Sequence, residues 1–182
     1  MSERDSTTPK KKAVDPGLEA VVKHEFSQAV RMCPPKQEPV LTILRAHLLA
    51  EHYIERAITA RLPRGDRVIE AGLLGFAQKV NLLEGLNLLS DELVQSLKGL
   101  NRVRNSCAHE MERAITIPDV ERIGRPLGAE FTSLRRKHFD DVRKLLHEVI
   151  MCIARELSGS VYYLEKRVAD GFDKIDPVPE KS

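Results

Sequence analysis

Residue type and spacing point to chemistry in the stretch Arg104-Asn105-Ser106-Cys107-Ala108-His109. Arginine supplies a permanent forked cation that suits a phosphate. Histidine supplies a proton acceptor near neutral pH. The two together can cut a phosphodiester without a metal: His109 takes the proton of a 2′-hydroxyl, and Arg104 stabilises the charged phosphorane that follows. Five positions on a helix turn through about 140°, so the two side chains do not stack on each other. They flank one groove, or meet the same pair from a second copy, and Asn105 adds a polar group beside the guanidinium. Glu51, on an earlier helix, is either a buried acid that orients the pair or a surface carboxylate. Lys98, Arg102 and Arg113 surround the motif as cations for a nucleic-acid backbone, or as a solvated face. His24, His47, His52, His138 and His147 lack such neighbours. His47 and His52 lie five apart rather than at the four-residue spacing of HExxH ligands, and both read as surface or packing residues. No metal and no cofactor is expected.

Elements must hold these residues in place, and the body of the chain, about 16–170, is helical in pattern almost throughout. A first helix starts at Asp15–Pro16, with Asp as cap and Pro in the first turn, and stops before Pro34–Pro35. A second runs from about Glu38 to Leu62 on a stripe of Leu41, Leu44, Leu48, Leu49, Tyr53, Ile54 and Ile58. A third covers about Arg67 to Leu83, with Ile69, Leu73, Phe76, Ala77 and Val80 on one side. The fourth begins after Ser90 and extends to about Glu110. A short helix follows over Asp119–Gly124. The last long one spans about Phe131 to Leu157, with Leu134, Phe139, Val142 and Leu145 in its apolar set, and Ser158-Gly159-Ser160 is expected to break or kink it. Short loops between such helices predict an all-α, antiparallel bundle of about five to six helices. At about 100° per residue, Leu93, Leu97, Leu100 and Cys107 share one face of the fourth helix, with Val103 at its margin. Arg104 falls in the middle of that face and Arg102 nearly opposite. An arginine there is costly unless it snorkels, meets an acid such as Glu51, or opens onto a site.

The 182 residues fit one domain with tails: a disordered polar tail at 1–15, the bundle at 16–170, and a flexible C-terminal tail at 171–182. Lys10–Lys12 reads as part of the solvated tail rather than as a localisation signal. With 29 Lys and Arg against 27 Asp and Glu, the net charge of +2 argues against a strongly polybasic DNA binder. Aromatics at 4 % and the absence of Trp argue against stacking platforms for single strands. Cys33, Cys107 and Cys152 are odd in number and widely spaced, which excludes a disulfide framework and fits a cytoplasmic protein. No apolar run approaches the roughly 20 residues of a membrane span.

In the stretch LNRVRNSCAHEM the sequence resembles the HEPN superfamily, whose signature is Arg, a polar residue, and His a few positions on. Its layout is most similar to the mannitol operon repressor group, through LLAEHYIERAITARL, GFAQKVNLLEGLNLL and the RN-SCAH helix, over about residues 38–150. The resemblance implies a symmetric homodimer with the motif helices facing across the two-fold axis. It implies a metal-independent ribonuclease with a composite site of Arg104, His109 and Asn105, acting on RNA and leaving 2′,3′-cyclic phosphate ends. Toxin members imply an antitoxin as partner. The repressor group implies instead a non-catalytic transcriptional regulator or interaction module with a regulatory protein partner. A plain structural helical protein is the third reading.

Overall fold

The computed structural model describes residues 16–109 and 113–171. The expected tail at 1–15 with Lys10–Lys12, the end of the fourth helix at Glu110, and the expected tail beyond Gly171 lie outside the described residues. Those described form eight α-helices and no strand: α1 (Pro16–Met32), α2 (Pro39–Arg61), α3 (Gly65–Glu70), α4 (Phe76–Gly85), α5 (Asp91–His109), α6 (Ile117–Gly124), α7 (Ala129–Lys137) and α8 (Val142–Ala169). A 3-10 turn at Arg125–Leu127 joins α6 to α7. Among these residues no helix is long and apolar enough to cross a membrane.

The described residues are all-helical, as the periodicity implies, but the count among them exceeds five to six because two expected helices are each split. The third divides into α3 and α4. Gly72 adopts φ +65°, a left-handed conformation that ends a helix and suits glycine. The chain restarts at Gly75, whose N–H donates to Gln78 Oε1 at 2.8 Å. Leu73, expected on the apolar side, lies in the break and is exposed. The last helix divides at His138–Asp141. Asp141 caps α8 by accepting the Lys144 N–H at 2.9 Å, and Phe139 is left exposed in the turn. The expected break at Ser158-Gly159-Ser160 does not occur. Both serines turn their hydroxyls onto helical carbonyls, Ser158 onto Arg155 O at 3.0 Å and Ser160 onto Glu156 O at 2.9 Å, and α8 continues to Ala169.

Long-range contacts fix the helix directions. Cys33 Sγ approaches Thr42 O, and His147 Nδ1 meets Cys33 O at 3.0 Å, so the end of α1 and the starts of α2 and α8 share one end of the bundle. Arg56 on α2 pairs with Glu25 on α1 and Glu165 on α8 further along. Thus α1 runs against α2, as expected, whereas α2 and α8 run parallel. Asn101 on α5 meets His47, while Lys98, earlier on α5, pairs with Glu84 at the far end of α4, so α5 runs back toward the start of α2. The core joins Ile43, Tyr53, Ile54 and Ile58 of α2 to Leu97, Leu100 and Val103 of α5 and Leu145, Leu146 and Leu157 of α8.

Candidate functional site

The motif is carried by α5, which starts with Asp91 and Glu92 at its positive end and is described as far as His109. Ser90 Oγ accepts the Leu93 N–H at 3.3 Å and seats the first turn. Leu93, Leu97, Leu100 and Val103 are each 2 % exposed or less, buried under helices of the same chain. These leucines therefore need no second copy to hide them. On the α6 side the approach is close: a Cβ on Gly99 would stand 2.7 Å from Arg122 O.

Beyond Val103 the apolar face opens. Arg104 is half-buried and its Nη1 donates to Asn105 Oδ1 at 3.2 Å. Among the described residues no carboxylate pairs with it. Arg102 is exposed, on the side expected of a solvent-facing arginine. Asn105 and His109 are exposed, and His109 is the last described residue of α5. The other expected members are committed elsewhere. Lys98 binds Glu84 at 2.6 Å, and Arg113 binds Asp119 at 2.7 Å. Glu51 binds Lys79 at 2.8 Å, and no described hydrogen bond or ion pair brings it to Arg104 or His109.

Asp119 is itself buried. Burial opposes its ionisation, but the Thr116 N–H and hydroxyl and the Arg113 guanidinium outweigh that and hold its carboxyl below the usual range. This anchor ties the segment after the motif to the start of α6. The buried thiols of Cys33 and Cys152 are not activated nucleophiles: Cys33 is pushed up to about 11 and Cys152 to about 12, chiefly by desolvation. Among the described residues no three His, Cys, Asp or Glu side chains converge as metal ligands.

Sequence reasoning missed a polar set one turn before Arg104. His47, a buried residue of α2, sends its Nε2–H to Asn101 Oδ1 at 3.2 Å and lays its ring against Phe76 of α4, with centroids 4.0 Å apart. Lys79 of α4 is buried too and is held by Glu51 and Glu55. Desolvation works against its charge, but the two carboxylates outweigh it and raise its pKa. The stripe assigned to α2 was rotated. Leu49, Tyr53, Ile54 and Ile58 are buried, but Leu41, Leu44 and Leu48 are exposed, and Ile43, Ala46, His47 and Ala50 take the inner positions. The run of small residues Ala46, Ala50 and Ala57 was the available signal, because small side chains mark a face that packs closely.

No family model, no curated protein and no solved structure matches the chain. The chemistry open to the site therefore follows from its own groups: a cation paired with no carboxylate among the described residues and, later on the same helix, an exposed imidazole, at the end of the bundle where α2 begins.

Proposed function

We propose that the chain is a metal-independent endoribonuclease of the HEPN type that acts as a homodimer. The observation that carries this reading is the state of Arg104: half-buried at the edge of a leucine face, in contact with Asn105, and paired with no carboxylate among the described residues. A guanidinium held in that way is ready for an anion of the right shape, and a phosphodiester is one. His109 stands on the same helix end as the base, and Asn105 steers the guanidinium fork. Lys98 and Arg113 are already neutralised by acids, so backbone binding falls mainly to Arg102 and to the matching groups of the second copy.

The test is cleavage of a mixed RNA pool in EDTA. The expected products carry 2′,3′-cyclic phosphate ends, and His109→Ala and Arg104→Ala each lose activity with unchanged helical circular dichroism. A general base contributes roughly 10²–10⁴-fold, so the loss is easy to read. Cleavage that requires Mg²⁺, or that survives both substitutions, overturns the assignment.

A second reading has its own observation. Leu41, Leu44 and Leu48 form an exposed apolar row at the end of the bundle that also carries the motif. A regulator or interaction module of the mannitol operon repressor type would use that row as a docking face and Arg104 as its polar anchor. Absence of cleavage on any RNA, with a dimer intact, selects this reading.

A further inference from the structure

His47 has an unusual position for a titratable group. Its ring is buried where α2, α4 and α5 meet, covered by Phe76 on one face and tied by Nε2–H to Asn101 Oδ1. The acceptor is a carbonyl oxygen, so Nε2 must carry a proton, and Nδ1 is the atom that gains or loses the second one. The charges that act on the ring include Glu51 on its own helix, Lys79 on α4 and Arg104 on α5. Burial is the main force keeping the ring neutral, and the two cations act in the same direction, while Asn101 and Glu51 favour the protonated ring. Lys79 is already compensated by Glu51 and Glu55. Arg104 is paired with no carboxylate among the described residues, so its charge is a term that a ligand can cancel.

We infer that His47 is the proton-linked partner of an anion site at Arg104: an anion held by the guanidinium draws a proton from solvent onto His47 Nδ1, and the protonated ring tightens the site in return. Coupling between the two is reciprocal because both are binding equilibria of one folded state. Asn101 makes the coupling local. It sits three residues before Arg104 on α5, about 4.5 Å along the axis, and keeps its bond to Nε2 in both protonation states. The ligand class is a strong-acid anion of phosphodiester or sulfate type, since the guanidinium offers a fork of donors and is paired with no acid among the described residues. His47 is thus a positioning residue that acts through Arg104 and touches no substrate.

The inference rests on reading Arg104 as the holder of phosphate, but its test needs no cleavage. The probe is inorganic sulfate, which stays fully ionised across the range used, at constant ionic strength balanced with chloride. The ring signals of His47 are followed by NMR as pH is varied, with exposed His52, five residues away, as the internal control. Sulfate is expected to move the His47 midpoint upward and leave His52 in place. Sulfate should bind about threefold to tenfold more tightly at about pH 5 than at about pH 8. The midpoint shift should persist in His109→Ala and vanish in Arg104→Ala. Arg104→Gln, which keeps much of the stem, replaces the alanine variant if that one does not fold. A His47 midpoint that ignores sulfate, or moves equally without Arg104, overturns the inference. A chain that cleaves no RNA yet shows the shift sinks the ribonuclease reading and leaves this one standing. One that cleaves through Arg104 while His47 stays unmoved does the reverse.

Discussion

Arg102 and Arg104 carry the same charge two residues apart, and their surroundings differ. Arg102 is exposed and Arg104 is half-buried beside leucines. Arg102→Ala should change stability by no more than ~0.5 kcal/mol, as surface substitutions do. Arg104→Lys keeps the charge and loses the planar fork, so it should lose most RNA cleavage or dimer affinity, whereas Arg102→Lys should keep both. Equal behaviour of the two lysine variants, assayed side by side, would remove Arg104 from the site. A second prediction concerns acid. The folded His47 pKa lies below its ordinary value, mainly through burial, so the unfolded chain binds that proton first on acidification. The unfolded state then holds more protons, and stability falls as pH drops below about 6.5, the ordinary histidine value. His47→Gln should flatten that part of the profile in thermal melts, and Asp119 and Glu25, with depressed carboxyl pKa values, should dominate the losses at lower pH. At this scale the sequence revealed Arg104 through a broken pattern, since a charge among leucines is visible on a wheel. His47 was invisible by the same logic. A histidine at a helix position matches a surface residue as well as a core one, and only Asn101 and Phe76, 54 and 29 positions away, decide which.

At the scale of elements, two glycines inside helices make opposite predictions. Glycine in a helix interior costs about 0.5–1 kcal/mol relative to alanine in backbone entropy. Gly159 lies inside α8, and a Cβ there meets nothing within 4 Å, so Gly159→Ala should stabilise the chain by about that amount. Gly99 lies inside α5, and its Cβ would collide with the backbone of α6 at Arg122 O and Ile123 Cα. The same substitution there should destabilise by about 1–3 kcal/mol despite the gain in propensity, and it should pull α6 off the motif helix. Denaturant melts of the two variants check this, and a stabilised Gly99→Ala would mean that α6 does not seat on α5 at that point. The elements themselves were largely legible. α2 and α5 carry strong periodicity, and both bounds of α2 and the start of α5 agree with the expectation to within a residue or two. The errors came where a local cap competed with a continuing apolar pattern. Gly72 and Asp141 won against the pattern, whereas Ser158, Gly159 and Ser160 lost to it because α8 packs along most of its length on α1 and α2. A wheel also fixes which residues share a face but not which face turns inward when two are apolar, and α2 has apolar residues on both.

At the scale of the whole molecule, the case for a dimer moves from α5 to α2. The leucines of α5 are satisfied within one chain, so they demand no partner. Leu41, Leu44 and Leu48 are 40 %, 36 % and 59 % exposed, and they stand on α2 at the end of the bundle where α5 delivers Arg104 and His109. In a two-fold contact each residue meets its counterpart reciprocally. If two α2 helices cross antiparallel close to Leu44, Leu41 of each copy approaches Leu48 of the other. Glu51 and Glu55 of one copy, which already hold Lys79, then come over the turn with Lys36 of the other. Three leucines alone do not fill the roughly 800 Å² per partner of a stable interface, so the contact must spread over these polar neighbours toward Arg104. Two motif ends are thereby brought to one seam. The expected result is twice the monomer mass by light scattering at micromolar concentration. Leu48→Glu should return the chain to a monomer without lowering its melting temperature, because that side chain is largely in water already. It should also abolish RNA cleavage at low protein concentration, although Leu48 supplies no chemical group. A wild-type monomer, or a Leu48→Glu variant that dimerises as well as the wild type, would take the α2 row out of the assembly and leave each Arg104 to work alone.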